Sequence, residues 1–160
     1  MTKTPATAAL DDAGVGYTLH SYHHDPARAG QAGGYGLEAA QALGVEAERI
    51  FKTLVVDVDG RLVVCVVPVT TRVSLKSLAQ AVGGRRAVLA DPAAAARATG
   101  YIVGGISPLG QKRRLTTVLD ETALLWATIL VSAGRRGLDV ELAPDDLLAL
   151  TGGQTADVCA

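Results

Sequence analysis

Two periods alternate in the apolar positions of this chain. In the opening segment Ala8, Ala9, Leu10 and Ala13 recur at helical spacing and the pattern stops at Gly14, which predicts a first helix ending on a glycine. Tyr17 to Tyr22 reads as a short strand, and His23 to Gly34 has the proline and glycine content of a loop. Tyr35 to Gly44 is a second helix. Ile50 to Val69 carries two β-branched runs on either side of Asp59-Gly60, a strong hairpin signal. Ser74 is a plausible N-cap for a helix stopping near Gly83, while Asp91 and Pro92 supply the N-cap and first position of another. Leu115 to Asp120, Trp126 to Gly134 and the alternating Leu138 to Leu142 are strand-like, and Pro144 opens a terminal helix with acids in its first turn. Strands and helices interspersed without a regular repeat predict an α/β-type domain with a mixed sheet, not a Rossmann domain.

Composition narrows this further. The chain has 160 residues, 49% hydrophobic and 19% charged, the size and balance of one domain with a proper core. No apolar run approaches the roughly 20 residues of a membrane span, and the N-terminal segment reads as an amphipathic helix, so a cytoplasmic address is expected. A net charge of −1 argues against a nucleic-acid-coating protein. Basic residues nevertheless gather between Gly100 and Gly137, at Lys112, Arg113, Arg114, Arg135 and Arg136. Such a face suits either a few phosphate contacts or an ordinary solvated surface.

The glycines of Gly100–Arg114 (GYIVGGISPLGQKRR) permit close approach of a ligand, and the same residues suit a plain structural loop. Walker and dinucleotide spacings are missing. Ser132 to Gly137 follows a buried-looking strand and is either a binding turn or a loop with two solvated arginines. Lys52 interrupts an apolar run, where a charge must emerge on a polar face or be paired and used. His20, His23, His24 and Asp25 lack a zinc-protease spacing, and no metal is expected. No Gly-x-Ser-x-Gly elbow is present, and Cys65, between Val64 and Val66, reads as a small core residue. The chain offers no convincing protein nucleophile.

Five segments, YGLEAAQALGV, IFKTLVV, GYIVGGISPLGQKR, VSAGRRGLDVEL and DDLLALTGGQTADV, resemble the YbaK/EbsC family of aminoacyl-tRNA deacylases nearly end to end. HSYHHDP and GRRGLDVEL are similar to the branch that hydrolyses Cys-tRNA(Pro). The resemblance implies a single α+β domain over residues 1–160, with a mixed, partly barrel-like β-sheet surrounded by helices. It also implies a catalytic set of Lys52, Gly104 and Asp139, with Lys52 at the acceptor end, Gly104 giving a backbone contact or room, and Asp139 orienting the substrate. Tyr22, Tyr35, Gly105, Ser132 and Gly134 would bind substrate, Tyr22 stacking on or bounding the terminal adenosine, and the five basic residues would touch phosphates. No cofactor is expected. The expected partners are the acceptor end of an aminoacyl-tRNA and prolyl-tRNA synthetase, not DNA or a membrane. The expected reaction is trans-editing, in which the thiol of a cysteinyl ester attacks its own carbonyl. An alanyl-tRNA(Pro) deacylase and a non-catalytic aminoacyl-tRNA-binding module remain the alternatives.

Overall fold

A computed structural model describes residues 3–23 and 34–160. Helix α1 (Pro5–Ala13) starts at Thr4, whose hydroxyl accepts from the Thr7 N–H while the Thr4 N–H donates to the Thr7 hydroxyl, and ends on Gly14 at φ 67°. Strand β1 (Thr18–Ser21) and α2 (Gly34–Leu43) follow. The hairpin forms where Asp59-Gly60 predicts it, joining β2 (Phe51–Val58) to β3 (Arg61–Pro68) with positive φ at both turn residues, 52° and 87°. Helices α3 (Leu75–Ala81) and α4 (Pro92–Thr99) are capped by the side chains of Ser74 and Asp91 as their sequences predict. Strands β5 (Thr116–Asp120), β6 (Ile129–Arg135) and β7 (Leu138–Leu142), helix α5 (Pro144–Thr151) and strand β8 (Gln154–Ala156) complete the chain. Between α3 and α4 lies β4 (Ala87–Leu89), which like β8 has only three residues, too few for a periodic pattern to show.

The strands make a five-stranded sheet, β4-β2-β3-β5-β8, and a three-stranded sheet, β1-β7-β6. The first is mixed, with β3–β5 and β5–β8 parallel and the other pairs antiparallel. A single parallel bridge, Ile50 to Leu130, joins the two sheets at their corner. The α+β class with a mixed sheet holds, the strands being divided between two sheets that meet at this corner.

Strand alternation decides what each face does. On β6 and β7 the residues Ile129, Val131, Ala133, Leu138, Val140 and Leu142 turn into the main core with Leu10, Phe51 and Leu119. The opposite face carries Leu130, Ser132, Asp139 and Glu141, with His20 across from Asp139. Helix α2 packs on the Leu130 part of that face through Ala39 and Ala40, and Ser132 and Asp139 make another part of it polar. Among the described residues no helix is long and apolar enough to cross a membrane.

Candidate functional site

The polar face of the small sheet, the free edge of β2 and the glycine loop enclose a cavity of about 300 Å³. Six of the residues singled out in the sequence line it: Tyr22, Lys52, Gly104, Ser132, Arg135 and Asp139. They come from four separate parts of the chain and meet because the Ile50–Leu130 bridge brings β2 against β6. Apolar groups, including Phe51, Leu54, Val69 and Ile106, supply most of the remaining wall.

Asp139 is 6% exposed and lines the cavity, and burial pushes its carboxyl up to about 7. It can therefore exchange a proton near neutrality. Tyr22 lies close enough to feel that carboxylate. Its phenol is raised well above its ordinary value, chiefly by burial and then by Asp139, so it stays a neutral donor. The Lys52 ammonium donates to the Thr71 carbonyl at 2.8 Å. Burial pulls it below the usual lysine range, with Arg72 acting in the same direction and Cys159 against it.

The Thr71 turn is held from behind by the C-terminal tail. Ala160 N–H donates to the Arg72 carbonyl, Ser74 N–H to the Val158 carbonyl, and the Thr71 hydroxyl lies 3.2 Å from Cys159 Sγ. Asp120, 1% exposed, accepts from the Val158 N–H and from Thr122. Asp120 and Thr71 thus help to place Lys52, and neither stands out in the amino-acid sequence. The one signal was an acid ending an apolar strand.

The glycine loop resolves into lining and scaffold. Gly104, at φ 96°, lines the cavity, whereas Gly105 packs backbone to backbone on the β6 end: a Cβ there would lie 2.8 Å from Arg135 Cα. Gly134, at φ 111°, is fixed by the ring of Tyr101, which a Cβ would meet at 2.8 Å, and its N–H donates to the Ser132 hydroxyl. Gly105 and Gly134, which the resemblance implies as substrate-binding, do not line the cavity. The loop is braced by the Tyr101 hydroxyl donating to the Leu109 carbonyl at 2.6 Å and by the Arg136 guanidinium donating to the Val103 carbonyl at 2.9 Å. Gly104 thus faces the cavity while Gly105 and Gly134 serve packing.

The basic residues divide as well. Arg135 reaches the cavity, Arg136 holds Val103, and Arg113 and Arg114 flank a second cavity that shares no residue with the first. Lys112 is exposed, its N–H closing onto Thr99 at the end of α4. Tyr35 belongs to α2, but its side chain lies outside the described residues, as do His24 and Asp25. His23 is exposed. His20 Nε2 lies 2.8 Å from Glu141, which also receives Arg49 and Thr128, so it belongs to a hydrogen-bond network around that carboxylate. Among the described residues no group of His, Cys, Asp and Glu could hold a metal. Cys65 is fully buried, its thiol pushed up to about 12, chiefly by burial.

Residues 35–150, which hold most of the cavity's lining, match the family described as the aminoacyl-tRNA editing domain. The chain belongs to that family. It is 44% identical over 120 residues to EbsC of Enterococcus faecalis, named as a candidate Cys-tRNA(Pro)/Cys-tRNA(Cys) deacylase, across 74% of this chain and 73% of that protein. A solved candidate trans-editing enzyme for prolyl-tRNA synthetase superposes with a TM-score of 0.84 at 28% identity, covering 100% of this chain and 99% of that one. The solved protein APE2540 superposes at 0.85 with 27% identity, covering 98% and 100%.

Proposed function

We propose that the protein hydrolyses mischarged aminoacyl-tRNA, with Cys-tRNA(Pro) as the preferred substrate. The observation that carries this reading is the cavity itself. It gathers Tyr22, Lys52, Gly104, Ser132 and Asp139 in a chain of the editing family, yet its described walls contain no cysteine or histidine. A protein with binding groups and no activated nucleophile suits a substrate that brings its own.

In this reaction the cysteinyl thiol gives its proton to the Asp139 carboxylate and its sulfur attacks the ester carbonyl carbon. The carbon–oxygen bond to the ribose breaks, the electron pair stays on the ribose oxygen, and that oxygen takes the proton back. The four-membered thioester so released is opened by water to free cysteine. Lys52 and the backbone at Gly104 stabilise charge as the ester breaks, and holding thiol and carbonyl together supplies much of the rate. Tyr22 bounds the terminal nucleoside, beside an apolar lip at Val103. Prolyl-tRNA synthetase is the natural source of such mischarged tRNA.

Cys-, Ser- and Ala-tRNA(Pro), each corrected for spontaneous hydrolysis, test the proposal directly. A thiol near pKa 8.5 yields far more anion at neutral pH than an alcohol, so Cys-tRNA should be cleaved much faster than its near-isostere Ser-tRNA. Equal rates for Cys and Ala would point to an enzyme that activates water, and protection of the ester would point to a carrier. Cys65→Ala should keep the cysteine preference, since the working sulfur is the substrate's.

A further inference from the structure

Strand β2 has an unfilled step in its outer edge. On its inner side β3 pairs with every residue from Phe51 to Val58. On its outer side β4 pairs only with Val56–Val58, and the Ala90 N–H takes the Val55 carbonyl at 3.0 Å. At the other end the bridge from Ile50 to Leu130 ties the start of the strand to β6. Thr53 lies between these two attachments.

The direction of its backbone groups follows from alternation. The Val55 carbonyl and the Asp59 N–H point to the β4 side, receiving Ala90 and reaching Arg86, while the Ile50 carbonyl points to the β3 side and receives Val69. Odd-numbered residues of β2 therefore turn both N–H and C=O to the outer edge. Thr53 is one of them, it lines the cavity, and it lies in neither of the paired stretches on that edge. Its side chain shows the same lack: the Thr53 hydroxyl is buried and has no hydrogen-bond partner among the described residues. A buried polar atom left this way ordinarily costs stability, and such atoms are few in native proteins.

We infer that Thr53 is the docking residue for the α-aminoacyl group, pairing with it as one strand residue pairs with another. This rests on the aminoacyl-ester reading of the cavity and adds to it the recognised chemistry. An aminoacyl ester carries a donor nitrogen and a carbonyl on one carbon, the same arrangement as a residue in a hydrogen-bonded antiparallel pair. The substrate ammonium donates to the Thr53 carbonyl, and the Thr53 N–H donates to the ester carbonyl oxygen. That oxygen gains negative charge when the carbonyl is attacked, so the N–H contact tightens as the reaction proceeds. The hydroxyl supplies a third contact to the acyl group. The site is thus specific for a free α-amine, and Lys52, whose ammonium is engaged by Thr71, is left to the nucleotide side.

The test uses two stable probes, adenosine carrying cysteine or 3-mercaptopropionate in amide linkage at the ribose 3′ position. They share the thiol and differ only in the amine. The cysteinyl probe should bind roughly tenfold to a hundredfold more tightly, the range for one charge-assisted hydrogen bond. On binding, the Thr53 amide resonance of the ¹⁵N-labelled protein should shift and its exchange slow. Thr53→Val should weaken the cysteinyl probe, and Thr53→Ser should restore it. Equal binding of the two probes, an unmoved Thr53 amide, a Thr53→Val variant that binds like the parent, or no binding at all overturns the inference. Hydrolysis of Cys-tRNA with the Thr53 amide unmoved overturns it alone. Tight binding with the expected shift but no hydrolysis supports it and removes the deacylase reading instead.

Discussion

Lys52 and Asp139 are the two charged side chains whose surroundings most change their chemistry. Lys52→Ala removes the ammonium that Thr71 positions but leaves the strand it sits on, paired with β3 through its backbone. The expected result is a protein melting within a few degrees of the parent whose kcat/KM for Cys-tRNA(Pro) falls by about 10²- to 10³-fold, the usual cost of losing one stabilising donor. Unchanged turnover would take Lys52 out of the site. Asp139 adds a pH signature. Its folded carboxyl holds the proton to about 7 where an unperturbed one releases it near 3.8. Between those values the folded state binds more protons than the unfolded state, so this group's contribution declines as pH rises from about 4 to 7 and is level above that. Asp139→Asn should flatten the decline in urea midpoint over that window, and should also remove the rise of deacylation rate through pH 7 if the carboxylate is the proton acceptor. An Asn variant with the parent's pH dependence in both would place the carboxyl in water.

At the scale of elements, the contact between the glycine loop and the end of β6 shapes the cavity. Gly105 allows it by lacking a side chain, since a Cβ would press on Arg135 Cα at 2.8 Å and on Arg136 N at 3.1 Å. Gly105→Ala must push loop and strand apart, at a cost of about 1–3 kcal/mol for overpacking, and it displaces Gly104 and Arg135 together. Both the melting temperature and deacylation should drop. Gly83→Ala is the informative contrast: Gly83 has φ 72° with nothing within 4 Å of a Cβ, so strain of about 1–2 kcal/mol should appear without loss of catalysis. Similar losses of activity in both variants would mean that general destabilisation, and not cavity shape, explains the first.

For the whole molecule, a net charge of −1 leaves little long-range attraction for tRNA, and the basic residues are spread over separate surfaces. Each phosphate contact contributes about 0.7–0.9 to the slope of log affinity against log salt. The double change Arg113→Ala, Arg114→Ala should lower that slope for tRNA by at most about 2, while leaving turnover at saturating substrate intact; a slope that does not move means these arginines face solvent. The elements were readable locally because caps, Asp59-Gly60 and the final glycines act within a few residues, and Leu138 to Leu142 already sorts Asp139 and Glu141 from the core-facing leucines and valine. The motifs were readable too, through their resemblance to a family. What the chain alone did not show was which members of those motifs meet. Gly104 and Gly105 are neighbours in sequence, yet one lines the cavity and the other only makes room; Lys52 and Thr53 are also neighbours, yet alternation sends their side chains to opposite faces. Those assignments depend on the Ile50–Leu130 corner, on where β4 stops and on a tail that returns to Thr71, all contacts between residues far apart in the chain. Local sequence specifies conformation over one or two turns, whereas pocket membership is set by long-range packing that only the folded chain brings about.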